Sequence, residues 1–202
     1  MPQGKALDTE TILAATEQVL RRHGPAKATV VDVARALGVS HTAVYKHFPS
    51  KTALREAVIR RWLRPVRQEL DAVTRNTDLA PPERLHAWFT TQLAAKRAQL
   101  AADPELVATF RQLSTDHSEV TGEHVNEMIR QLSAIIAEGI DSGEFAPTEP
   151  RRAAHALFYA TAGFHHPDLA ETWMNPASDA ALDEVLALLL GGLKGQRPMF
   201  DQ

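Results

Sequence analysis

Within twelve residues, from Ser40 to Lys51, the chain sets out Ser40, His41, Thr42, Tyr45, Lys46, His47 and Lys51. These are hydroxyl, imidazole and ammonium groups, all able to donate hydrogen bonds and some able to carry positive charge. No carboxylate stands among them and no serine is paired with a base in a nucleophile motif, so the chemistry that fits is recognition of electron-rich oxygens and nitrogens, not bond breaking. Val39, Val44 and Phe48 are the apolar positions of the segment and should turn inward. That leaves His41, Thr42, Ala43, Tyr45, Lys46 and His47 on or near the outer surface.

The elements that must hold this face are short helices. Asp8 caps a first helix from Thr9, with Ile12, Leu13, Thr16, Val19 and Leu20 on one side, until Gly24-Pro25 stops it. Thr29, with Asp32 three residues on, reads as a capping-box variant opening a helix through Val30, Val33, Ala34 and Leu37, and Gly38 ends it. Ser40 caps the next, which should run through His47 before Pro49-Ser50 breaks it. Ser50 then caps a fourth helix that carries Leu54, Val58, Ile59, Trp62 and Leu63. Two short helices joined by a tight glycine turn form the helix-turn-helix pattern, whose second helix enters the major groove with its first residues toward base edges. His41 and Thr42 then sit where bases are in reach, Tyr45, Lys46 and His47 suit phosphate oxygens, and Thr29 and Lys51 each lie at a helix N-terminus favourable to a phosphate.

Charge supports a polyanion at this end of the chain. Residues 1–64 hold eleven Lys and Arg against five Asp and Glu, a net of +6, and the remainder holds eleven against twenty, a net of −9. With no cysteine there can be no disulfide and no cysteine metal site. No apolar leader or stretch of membrane-spanning length appears, which gives a cytoplasmic expectation with no membrane partner. Apolar residues recur at helical spacing almost throughout, so the fold class is all-α.

The run from Thr29 to Leu54, and above all Gly38-Val39-Ser40, Tyr45-Lys46-His47-Phe48 and Lys51 with Leu54, closely resembles the DNA-binding region of TetR-family regulators, over residues 9 to 63. The resemblance implies about nine helices: an N-terminal three-helix DNA-binding domain and a larger helical domain for ligand binding and dimerisation. It implies a homodimer, a palindromic double-stranded operator and a small-molecule effector. It also implies that Thr29, Tyr45, His47 and Lys51 contact phosphates while His41, Thr42 and Ala43 face bases. Val44 stands where a larger aliphatic residue is common in the family. The domains divide as 1–50, a connecting helix and linker at 51–80, and 81–202.

Beyond residue 65 the helices read from composition alone. Pro65 should kink or stop the fourth helix. Further helices are expected from Pro81-Pro82 to about Leu100, from Pro104 to about Ser114, from Ser118 to Ser142 with Gly143 as its cap, from Pro150 to before Pro167, and from Ser178 to Gly191-Gly192. The last two have the composition of a pairing surface, with Leu157, Ala160, Leu182, Leu186 and Leu189 as the expected dimer residues. An effector cavity among residues 82 to 164 would be lined by Trp88, Phe89, Phe110, Leu113, Met128, Phe158 and Phe164, with His117, His124, His155 and Tyr159 as polar candidates. His165 or His166 would cap helix-end carbonyls, and the segment ending in Trp173-Met174 could form a rim. His117 and His124 are seven apart without an HxxxH pair, so neither a metal site nor a cofactor is expected. No phosphate-cradling glycine loop, dinucleotide fingerprint or nucleophile elbow points to an enzyme. The alternatives that stay open are an activator or co-repressor-dependent regulator of the same fold, and a helical ligand-binding protein without regulatory DNA binding.

Overall fold

Local signals fix the first helices. The Asp8 carboxylate accepts the amide of Thr11 at 2.6 Å, and α1 (Thr9–Lys27) follows, interrupted at Gly24, whose φ of 69° and ψ of 168° break the helix before Pro25. A side chain at Gly24 would also meet the carboxylate of Glu105, so the position combines a positive φ with a close approach. A computed structural model describes residues 7–195; among them lie ten α-helices, two 3₁₀ turns and no strand.

The chain forms two compact units. The first comprises the described residues through Arg64 together with Ala101–Gly122. It contains α1, α2 (Val30–Leu37), α3 (His41–Tyr45), the first part of α4 (Lys51–Thr74) and α6 (Pro104–Thr115). Ile12, Leu20, Val33, Val44, Leu54, Ile59 and Leu63 build its core with Leu106, Phe110 and Leu113 of α6. The segment 101–122, placed by the sequence reading in the C-terminal domain, therefore clusters with the N-terminal helices. Asp103 joins three of them: it accepts from Arg21 Nε of α1 at 2.5 Å and from Trp62 Nε1 of α4 at 3.2 Å, one residue before α6 begins. Arg61 adds ion pairs from α4 to Glu10 and Glu17 of α1.

The second unit comprises Pro65–Leu100 and the chain from Glu123 onward. It holds the rest of α4, most of α5 (Pro81–Ala102), most of α7 (Glu119–Asp141), α8 (Pro150–Ala160), two 3₁₀ turns (Ala162–Phe164 and Pro167–Leu169), α9 (Ala170–Trp173) and α10 (Ser178–Leu193). α4 continues through Pro65 to Thr74, where the sequence suggested a kink or a stop. α8 ends at Ala160, well before Pro167. Polar pairs tie the helices together. Trp88 Nε1 donates to Gln131 Oε1 at 2.9 Å, and the buried guanidinium of Arg84 donates to the carbonyl of Thr74 at 3.0 Å and to Glu138 at 2.6 Å. Arg97 bonds the carbonyl of Trp173 at 2.6 Å and Asp179 at 2.8 Å. Gly139, unmarked by any sequence signal, lies against Phe145: a Cβ there would come within 2.1 Å of the ring.

Candidate nucleic-acid interface

α2 and α3 are set by their caps. Thr29 and Asp32 close a full capping box: the Asp32 amide donates to Thr29 Oγ1 at 3.2 Å and the Thr29 amide to Asp32 Oδ2 at 3.1 Å. The Thr29 hydroxyl also donates to Asp32 at 2.6 Å, which holds that carboxyl below the usual carboxylate range. Its proton is therefore engaged within the box, and any approach of a phosphate to Thr29 would draw on the amides of the first turn of α2. Arg35, 3.0 Å from Asp32, offsets the one negative charge at this corner.

Gly38 takes the left-handed conformation, φ 67°, that ends α2. Two residues on, Ser40 Oγ accepts the amide of Ala43 at 3.2 Å and starts α3. α3 is five residues long, so Lys46 and His47 lie in the turn after it and not on the helix, as the sequence had suggested. They remain tied to it, since the amide of Lys46 reaches the carbonyl of Thr42 at 3.2 Å and that of His47 the carbonyl of Val44 at 3.0 Å. Val44 and Phe48 are buried, which anchors the short element to the core. Ser40, His41, Thr42, Tyr45, Lys46 and His47 are exposed on it, Ala43 is half-buried, and the rings of His41 and Tyr45 meet edge to face at 6.4 Å. Thr29 and the partly buried Lys51 flank it in the same unit. Burial, and next the charge of Arg55, push the Lys51 ammonium below the ordinary lysine range. Ser50 Oγ accepts the Ala53 amide at 3.0 Å at the start of α4.

A short capped helix, a glycine turn and an exposed row of hydroxyl, imidazole and ammonium donors can lie against the edges of base pairs and the phosphates beside them. Comparison with known proteins gives the same reading. Residues 12–58 match the family described as bacterial regulatory proteins, tetR family, and residues 81–186 match the tetracyclin repressor-like C-terminal domain. The chain belongs to the TetR family.

It is thus a DNA-binding transcriptional regulator by family. An uncharacterized HTH-type transcriptional regulator of Mycobacterium tuberculosis is 30% identical over 151 residues, covering 73% of this chain and 69% of that protein. The HTH-type transcriptional regulator RutR of Escherichia coli is 28% identical over 165 residues, covering 78% and 72%. Among solved structures, a transcriptional regulator of Pseudomonas aeruginosa PAO1 aligns over 96% of this chain and 95% of its own with a TM-score of 0.71 and 20% identity. The regulator FadR of Bacillus subtilis, solved in complex with stearoyl-CoA, aligns over 92% and 99% with a TM-score of 0.64 and 19% identity. These structural likenesses concern the fold.

In this TetR-family protein the residues expected to line an effector cavity fall into several places. Trp88, Phe89, His124, Met128 and Phe158 are buried in the second unit, whereas Phe110 and Leu113 belong to the core of the first. His117 is an exposed turn residue with φ 51°, and Tyr159 is 65% exposed on α8. His155 and Phe164 are half-buried, and His155 stacks on Tyr159 with ring centres 6.0 Å apart. His165 Nε2 donates to the carbonyl of Phe158 at 2.9 Å, a helix-end cap; His166 instead accepts the amide of Asp168 at 3.3 Å. Among the expected dimer residues, Leu157, Leu182 and Leu186 are buried inside the protomer, Leu189 is half-buried and Ala160 is exposed. The large apolar side chains open to solvent on α8 and α10 are Tyr159 and Leu188.

Sequence reasoning missed Gln92, Lys96 and Gln99. They recur at helical intervals on α5, and all three are buried. The signal available was that Trp88, Phe89 and Leu93 crowd the same helix, leaving little of its circumference for solvent. Among the described residues, no group of three or more His, Asp or Glu gathers as a metal site, and no helix is long and apolar enough to cross a membrane.

Proposed function

We propose that the protein is a ligand-responsive repressor: a homodimer that holds a palindromic operator through two copies of the α2–α3 motif and releases it when a small molecule occupies the C-terminal unit. The observation that carries this reading is the exposed donor row of Ser40, His41, Thr42, Tyr45, Lys46 and His47 on an element fixed by Val44 and Phe48. His41, Thr42 and Ala43 read bases; Thr29, Tyr45, Lys46, His47 and Lys51 meet the backbone. A dimer is required because one five-residue recognition helix reads too few base pairs to select a site. Tyr159, Ala160 and Leu188 on α8 and α10 supply exposed small and apolar groups for a two-fold pairing of those helices. Effector binding shifts α4 through Trp62 and the Pro65 region and alters the separation of the two recognition helices. FadR, of the same fold, is known in complex with stearoyl-CoA, which supports a small-molecule role for the C-terminal unit. Selection of bound sequences from random duplex DNA tests the reading. Wild type should enrich a two-fold symmetric site that a Tyr45→Ala, Lys51→Ala double variant does not. A folded dimer that enriches no site, or an asymmetric one, refutes it.

A further inference from the structure

Besides Arg84, which pairs with Glu138, three side chains able to carry positive charge are buried in the C-terminal unit. Lys96 on α5 is 2% exposed, His124 on α7 is 5% and His165, just after the first 3₁₀ turn, is 6%. They are close enough for their charges to act on one another, Lys96 on both histidines and His165 on His124. Gln92 and Gln99 stand four residues before and three after Lys96, so α5 turns an amide, an ammonium and an amide inward along one side. Trp173 of α9 faces this group: Lys96 Nζ is 5.9 Å from the centre of its ring.

Trp173 is 1% exposed, and its indole N–H is buried without a hydrogen-bond acceptor; Gln99 Oε1 is buried without a donor. Leaving such groups unsatisfied is costly, and native interiors seldom do so unless something else fills the role. An indole N–H only donates, and beside an ammonium the acceptor that suits it best is a negatively charged one.

We propose that this buried polar cluster of the C-terminal unit is the effector site and that the effector bears a carboxylate, held by Lys96 Nζ and Trp173 Nε1, with Gln99 Oε1 taking a hydrogen bond from a hydroxyl or amide elsewhere on the same molecule. Histidine protonation favours a single negative charge. Burial holds His124 well below its ordinary value and brings His165 to about 4, so at neutral pH both are uncharged and Lys96, its own value lowered by burial to about 8, is the one charged group of these three, while the half-buried Arg67 acts on His124 from outside them. A monoanionic carboxylate matches that charge better than a dianionic phosphate. The assignment rests on the ligand-responsive reading above.

Tryptophan fluorescence and thermal unfolding of the full chain test it, with benzoate and decanoate as probes against benzamide, decanamide and phenyl phosphate. Saturable binding of a carboxylate, with the matching amide weaker by about tenfold or more, is expected, and Lys96→Met should weaken the carboxylate by roughly 10- to 100-fold. Without ligand, Lys96→Met should unfold at or above the wild-type temperature, because it removes a buried charge and keeps the volume. Trp173→Phe should weaken the same ligand while leaving the fold intact. Absence of carboxylate binding, an amide or phenyl phosphate that binds as well as the carboxylate, or a Lys96→Met variant that titrates like wild type overturns the proposal. Carboxylate binding that leaves operator affinity unchanged refutes the inducer reading instead, and the anion site stands.

Discussion

Replacing Asp103 by Ala removes the acceptor shared by Arg21 of α1 and Trp62 of α4 at the start of α6. The two parts differ in weight. Arg21 is 42% exposed at its side chain, so solvent screening limits that ion pair to about 0.5–1 kcal/mol. The Trp62 N–H is part-buried and would be left without its acceptor, costing about 1–2 kcal/mol. The side chain makes no capping bond to α6, so no capping loss is added. The sum is about 1.5–3 kcal/mol, measurable as a lowered urea midpoint with unchanged slope at fixed protomer concentration. Asp103→Asn keeps an oxygen for Trp62 and should recover about half of the loss. pH gives a second reading. The hydrogen bond from Arg21 is the main cause holding the Asp103 carboxyl below its ordinary value. Its stabilisation is therefore complete above the unfolded value of about 3.9 and is lost as pH falls through the lower folded one. The gap between wild type and Asp103→Ala should close as pH is lowered past that point. If Asn proves as costly as Ala, or if the gap is unchanged in acid, the assignment of the loss to Trp62 and Arg21 is wrong.

Lys51→Ala should lower the salt slope of operator binding by about 0.9 for each phosphate that the ammonium neutralises, while Thr42→Ala leaves the slope and changes which bases are preferred; competition binding at several salt concentrations distinguishes them. Gly139→Ala forces a methyl into the Phe145 ring and should cost about 1–3 kcal/mol in thermal or urea unfolding; a neutral result would mean that Phe145 has room to move. Because His165 titrates at about 4 in the folded protein against an ordinary 6.5, the unfolded chain binds more protons between those values and stability rises with pH across that window. Wild type should lose up to roughly 3 kcal/mol more than His165→Phe as pH falls from 7 to 4, read from unfolding midpoints at each pH.

The N-terminal unit was legible because its signals are local. Asp8, Thr29, Ser40 and Ser50 cap the helices whose beginnings they mark, and Gly38 has the positive φ that its place after Leu37 requires. The one local error, running α3 on through His47, arose because apolar spacing cannot tell a last helical turn from a tight turn that keeps the same residues inward. The C-terminal unit was harder. Its membership depends on which helix meets which, information absent from periodicity, so Phe110 and Leu113 looked like cavity lining while they complete the core beneath α1. Lys96 was invisible for the opposite reason: a lysine at helical spacing is ordinarily solvated, and only the surrounding fold reveals that this one is enclosed.

The five residues of α3 also bear on how such a protein changes its target. Its hold on the fold runs through Val44 and the following Phe48, while Thr42 and His41 project from it and stand outside the core cluster. Under the proposed assignment the positions that spell the operator and those that keep the element folded are separate letters of the same short word. Substitution at 41 and 42 could then redirect the protein to another promoter with little thermodynamic penalty. A duplicated copy could diverge in address long before it diverged in architecture.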